Sequence, residues 1–120
     1  MTTGTDIIEI NRIKKAIESN RFMQRVYSQN ERQYISGKNN SAQTAAGIYC
    51  AKEAVLKALG TGLSSGIAFG DIEVFHDNLG KPYITLKDKA LEIFNQKNYS
   101  KIDISISHCD SFAVAFCVMI

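Results

Sequence analysis

Cysteine is sparse in this chain: the three present, Cys50, Cys109 and Cys117, are odd in number and form no C-x-x-C pair. That excludes a disulfide framework and a zinc knuckle, and it fits a reducing cytoplasm. Long apolar runs are also missing. The longest, Phe112 to Ile120, falls well short of the ~20 residues a membrane helix needs. Met1 to Glu9 has neither a basic leader region nor a small-residue cleavage site, so neither secretion nor membrane insertion is expected. A strong net charge is lacking too, at +2 over 120 residues, and no nucleic-acid motif or interleaving of aromatic and basic residues is present.

With 45% hydrophobic and 22% charged residues, the chain lies far from the composition of disorder, and one compact domain over residues 1–120 is expected. A core of this size stabilises a fold only modestly, so burial between subunits would help. The charge that exists is unevenly placed. Between Ile10 and Lys38, seven basic residues (Arg12, Lys14, Lys15, Arg21, Arg25, Arg32 and Lys38) face only Glu18 and Glu31, which points to an acidic partner.

Thr3 to Glu9 reads as a strand, and Ile10, Ile13 and Ile17 have the spacing of an amphipathic helix. Ser28 and Glu31 have the S-x-x-E spacing of a capping box. From Ser41, the expected N-cap, a proline-free, alanine-rich segment runs from Ala42 to Leu59 and is closed by Gly60. Gly60 to Gly70 reads as a loop, and Asp77 to Gly80 joins the strands Ile72–His76 and Lys81–Leu86 in a hairpin. Lys87 to Asn98 has helical spacing. Ile102, Ile104 and Ile106 alternate with polar residues as in a half-buried strand, while Phe112 to Ile120 is apolar on both faces and must be covered twice. The class is α+β: an antiparallel sheet, made by the N-terminal strand and two C-terminal hairpins, packed on a long central helix.

Asp6 and Glu53 are carboxylates in otherwise apolar stretches, one on a strand and one on a helix. Either alone fits a salt bridge or a cap. Together they suit a hard cation, because Mg²⁺ favours one or two carboxylates completed by water and phosphate oxygens. Lys57 follows Glu53 by one helical turn and projects from the same face, where it is placed to neutralise phosphate or to form an i,i+4 ion pair. Lys52 lies on a different face. Cys109 beside His108 would need spatial alignment to form a catalytic pair, and sequence adjacency does not supply it.

Three segments, Gly4-Thr5-Asp6-Ile7-Ile8-Glu9-Ile10, Ala51 to Gly62 and Ser105-Ile106-Ser107-His108, resemble in that order the signature blocks of the small phosphopantetheinyl transferases, the holo-acyl-carrier-protein synthase family. Asp71 to Val74 and Gly80 to Tyr83 extend the resemblance over nearly the whole chain. It implies a homotrimeric enzyme of fatty acid biosynthesis, with sites between subunits. Such an enzyme moves 4′-phosphopantetheine from coenzyme A to a serine of apo acyl carrier protein and releases adenosine 3′,5′-bisphosphate. It further implies Mg²⁺ on Asp6 and Glu53, and coenzyme A phosphates beside Lys57, Gly60, Thr61 and Gly62. Ser107 and His108 would meet the nucleotide, and Arg12, Lys15, Arg21 and Arg25 would dock the acidic carrier. Glu53, Asp6 or a metal-bound water would take the serine proton. Ile48 departs from the pattern, since the family often has a phosphate-binding arginine there; Lys38 and Lys81 are the candidate substitutes. The alternative to an enzyme is a module that binds acyl carrier protein without modifying it.

Overall fold

A computed structural model describes residues 1–120. In chain order the elements are β1 (Thr2–Glu9), α1 (Ile10–Ala16), α2 (Asn20–Val26), α3 (Gln29–Ser36), α4 (Ser41–Leu59), β2 (Ile72–His76), β3 (Pro82–Leu86), α5 (Asp88–Gln96), β4 (Ile102–His108) and β5 (Phe112–Met119). Short 3₁₀ turns at Gly62–Ser65 and Phe69–Asp71 lie within the glycine-rich connection. The class matches the α+β expectation.

The expected single sheet is divided in two. β1, β5 and β4 form one antiparallel sheet in the order β1-β5-β4, and β2 and β3 pair only with each other. Pro82 opens β3 without an amide to donate, and the hairpin folds back through Asp77, whose carboxylate accepts the amides of Leu79 and Lys81 at 2.9 Å each. The connection is one residue longer than expected, because His76 pairs with Pro82 rather than Lys81.

Helix α4 is the axis of the molecule. Its N-cap is Asn40 rather than Ser41: the Asn40 side chain accepts the Gln43 amide at 3.0 Å. Alanines 45, 46, 51, 54 and 58 are buried along it, and their small size lets the sheet approach closely. At Gly4 the approach is closest. A Cβ there would lie 2.0 Å from the Ala54 carbonyl oxygen and 2.6 Å from the Ala58 nitrogen, so β1 rests directly on the helix backbone.

Strand β5 has the two faces its sequence implies. Ala113, Ala115, Cys117 and Met119 are buried against α4, whereas Phe112, Val114 and Phe116 on the other face are 43%, 37% and 46% exposed. Ile7 of β1, at 65%, extends this apolar surface. Within one chain, only one side of the sheet is covered.

The capping box at the start of α3 forms as read: Glu31 accepts the Ser28 amide while the Ser28 hydroxyl oxygen accepts that of Glu31. Glu31 is nevertheless buried. It pairs with buried Lys52 at 2.8 Å and also accepts the Val74 amide, joining α3, α4 and β2. Lys52, which also donates to the Phe69 carbonyl, is thus a structural cation, and its charge remains buried only because Glu31 matches it.

Candidate active site

The alternation of β1 turns Gly4, Asp6 and Ile8 inward and Thr5, Ile7 and Glu9 outward. Asp6 therefore faces α4 two residues beyond the closest contact between strand and helix. The Lys57 ammonium donates to Asp6 Oδ1 at 3.1 Å and to the Thr5 carbonyl at 2.9 Å. The Asp6 side chain is 16% exposed, that of Lys57 54%, so the lysine reaches in from solvent.

Glu53 stands one turn before Lys57, near Asp6 but outside any salt bridge. Its carboxyl is held above the ordinary range, first by burial and then by the negative charge of Asp6, against the pull of Lys57 and of the Tyr49 hydroxyl. Two carboxylates thus stand close together beside a single half-exposed lysine. No group of three or more His, Cys, Asp or Glu side chains is gathered anywhere in the chain, so any metal here would have two protein carboxylates and would complete its shell from water or substrate. That donor set fits Mg²⁺ and does not fit a zinc cage.

Cys50 lies under the pair. Burial, followed by the charge of Asp6, pushes its thiol up to about 12, and it donates to the Ala113 carbonyl at 3.4 Å. It is inert packing rather than a nucleophile. Tyr49 was missed in the sequence reading, although the signal was present: it precedes Glu53 by four residues on the same helix.

Gly60 ends α4 with φ +82°, and its amide is shared between the Leu56 and Lys57 carbonyls. Thr61 and Gly62 continue directly from it, placing this loop at the end of the helix that carries Glu53 and Lys57. Lys97, 38 residues beyond Leu59, donates to the Leu59 carbonyl and covers the same helix end, a contact with no local sequence signal.

Ser107 and His108 do not join this cluster. His108, exposed at the end of β4, lines a separate cleft of about 180 Å³ with Tyr34, Thr44, Ile48, His76, Gly80 and Pro82. Ile48 and Glu53 are five residues apart on one helix, about 140° around its axis. At the edge of this cleft Tyr34 stacks on His76 with centroids 4.0 Å apart, and the Lys38 ammonium lies 4.7 Å above the Tyr34 ring. Burial, then Lys38, lowers the His76 pKa, and its buried Nδ1 has no hydrogen-bond partner. Of the two substitutes for an arginine at position 48, Lys38 stands beside the cleft and Lys81 is paired with Asp103 at 3.2 Å. Ser107 lines a second depression, which His108 also borders, with Ile7, Phe112 and Val114 of the exposed sheet face.

Arg12, Lys15, Arg21 and Arg25 are all exposed on α1 and α2. Arg21 and Arg25 flank Phe22 in a shallow depression, and the Arg25 guanidinium lies 5.9 Å from the centre of the Phe69 ring. Burial, then the charges of Glu53 and Asp6, raise the Tyr49 pKa, and Arg12 is near enough to oppose them. With Glu31 buried against Lys52, this face is more basic than residue counting implies.

A family model described as the 4′-phosphopantetheinyl transferase superfamily matches residues 2–117. A holo-[acyl-carrier-protein] synthase of Ruminiclostridium cellulolyticum is 45% identical over 99% of this chain and 91% of its own length. One from Clostridium botulinum strain Eklund 17B is 49% identical, with 97% and 94% covered. Among solved structures, a Bacillus anthracis holo-(acyl-carrier-protein) synthase in complex with CoA (3′,5′-ADP) superposes with a TM-score of 0.82 at 38% identity, covering 98% of this chain and 94% of that one. The Helicobacter pylori synthase in complex with coenzyme A gives 0.85 at 32% identity, with 98% of each chain covered.

Proposed function

This chain belongs to the 4′-phosphopantetheinyl transferase superfamily, and from that membership we infer that it catalyses the holo-[acyl-carrier-protein] synthase reaction. It transfers 4′-phosphopantetheine from coenzyme A to a serine of apo acyl carrier protein, giving the holo carrier and adenosine 3′,5′-bisphosphate. The observation that carries this reading to the residues is the meeting of Asp6, Glu53 and Lys57 between β1 and α4. Residues 1–120 form one transferase domain, serving fatty acid biosynthesis.

In the reaction the serine oxygen forms a bond to the β-phosphorus while the bond from that phosphorus to the diphosphate bridging oxygen breaks. The bridging oxygen leaves with the electron pair on adenosine 3′,5′-bisphosphate, and the serine proton passes to the carboxylate pair. No enzyme nucleophile is required, so the residues act by positioning and by charge. Asp6 and Glu53 would hold Mg²⁺, which when bound supplies Lewis-acid neutralisation of the diphosphate. Lys57, already poised at Asp6 and half exposed, turns to the phosphate oxygens. The glycine loop at Gly60, Thr61 and Gly62 offers backbone amides to the same phosphates. The cleft of His108, adjoining Ser107, takes the nucleotide, with Lys38 as its nearby cation.

Because that cleft and the carboxylates occupy different faces of α4, a complete site needs two copies of the chain. The exposed apolar face of Ile7, Phe112, Val114 and Phe116 supports such an assembly, a homotrimer with sites at its interfaces. Arg12, Lys15, Arg21 and Arg25 receive the acidic carrier beside the carboxylates. No helix is long and apolar enough to cross a membrane. Three free cysteines support a reducing cytoplasm as the place of action.

The test is intact-mass spectrometry of apo acyl carrier protein incubated with this protein, coenzyme A and Mg²⁺. A gain of one phosphopantetheine, abolished by chelation, is expected. No gain with several apo carriers, from folded protein, would leave a module that binds the carrier without modifying it.

A further inference from the structure

Tyr49 is held far more firmly than its half-exposed position requires. Its ring stacks on Phe22 of α2 with centroids 6.2 Å apart and tilts against Phe69 at 5.8 Å, so aromatic neighbours fix it from two elements. Phenylalanine would fill the same space, which leaves the hydroxyl to explain. Tyr27, the other tyrosine of this cluster, donates to the Ala45 carbonyl at 2.8 Å. The Tyr49 hydroxyl has no such backbone acceptor. Beside it is the carboxylate of Glu53, one turn further along α4, the member of the carboxylate pair that lacks a lysine partner.

We propose that Tyr49 is a positioning residue for the transfer reaction: its hydroxyl donates to one oxygen of Glu53, restrains that side chain and leaves the second oxygen for the cation. The inference rests on the reading of Asp6 and Glu53 as the metal site. Its physical basis is that a ligating carboxylate reorients freely unless an outer partner holds it, and loss of such a partner typically lowers metal affinity by about 10- to 100-fold. The clamp on the ring makes Tyr49 an effective partner. A phenol pinned between Phe22 and Phe69 has little rotamer freedom left to lose when it binds Glu53.

The discriminating variant is Tyr49→Phe, which keeps the ring and removes one oxygen. Mn²⁺ binding to the intact oligomer, followed by electron paramagnetic resonance with and without coenzyme A, reads the metal directly, and thermal unfolding reads the packing. The expected result is a melting temperature within about 2 °C of the parent, with Mn²⁺ affinity lowered about 10-fold or more. The Mg²⁺ requirement of transfer should rise in parallel, and kcat at saturating metal should fall less. Unchanged Mn²⁺ affinity in Tyr49→Phe, with the parent protein binding normally and Glu53→Gln not, would overturn the role of Tyr49 alone. Equal Mn²⁺ binding by the parent, Asp6→Asn and Glu53→Gln would overturn the metal reading and this inference with it.

Discussion

Gly4→Ala tests the link between packing and chemistry with a single methyl group. The added carbon would lie 2.0 Å from the Ala54 oxygen and 2.6 Å from the Ala58 nitrogen, and both obstacles are helix backbone. Neither can rotate away. Restoring ordinary contact separation demands that β1 withdraw from α4 by at least about 1 Å. Overpacking of this kind costs about 1–3 kcal/mol, which for a chain of this size lowers the melting temperature by roughly 4–12 °C. Asp6 lies two residues along the same strand, so the withdrawal carries it away from Glu53 and Lys57. A displacement near 1 Å in a reacting constellation costs on the order of 100-fold in rate. The assay pairs a melting curve with transfer to apo carrier at temperatures where the variant is fully folded. Gly70→Ala is the control, since a Cβ there meets nothing within 4 Å and the residue does not need a positive φ. If Gly4→Ala melts and transfers like the parent protein, the close approach does not hold Asp6 in place and the reasoning is refuted.

The two lysines of α4 should separate stability from activity. Lys52→Met leaves Glu31 buried and unpaired, for an expected loss of about 3–5 kcal/mol in denaturant unfolding. Lys57→Met removes a half-exposed partner and should leave unfolding nearly unchanged while raising KM for coenzyme A and lowering kcat. Among the thiols, only exposed Cys109 should react with a disulfide reagent in the native protein, because burial of Cys50 and Cys117 pushes both up to about 12; rapid labelling of all three would contradict the fold. His76 sets an acid limit. Its folded-state pKa lies below its unfolded value, so the unfolded chain binds the extra proton first and stability is lost as pH falls from about 6.5 toward that lower value. His76→Gln should flatten the melting temperature over this window, measured by calorimetry.

Much of the fold was legible because it is written in short periods. The alternation of Ile102, Ile104 and Ile106 gave β4, and the pair Ser28 and Glu31 marked the start of α3, since both patterns concern residues within one or two turns of each other. What escaped depends on distance along the chain. Glu31 counts in the sequence as one of two acids offsetting the basic stretch, whereas it is buried against Lys52, and the contact joins elements that no local pattern connects. The same holds for the separation of β2 and β3 into their own sheet. The candidate site was legible to the extent that its chemistry is concentrated in single residues: a carboxylate in an apolar strand and another in an apolar helix are conspicuous wherever they fall. Tyr49 was not conspicuous, because a tyrosine on a buried helix reads as packing until its hydroxyl is found beside Glu53. The placement of His108 away from Glu53 followed from no spacing and came only from the way β4 lies across α4.

The central claim, that the carboxylate pair performs the transfer, is tested most directly by single-turnover transfer from coenzyme A to apo acyl carrier protein with Asp6→Asn. The substitution keeps the shape of the side chain and removes its charge. The account predicts a folded protein that still docks the carrier and transfers about 10³-fold more slowly. Transfer at near-parental rate, still dependent on Mg²⁺, would contradict it.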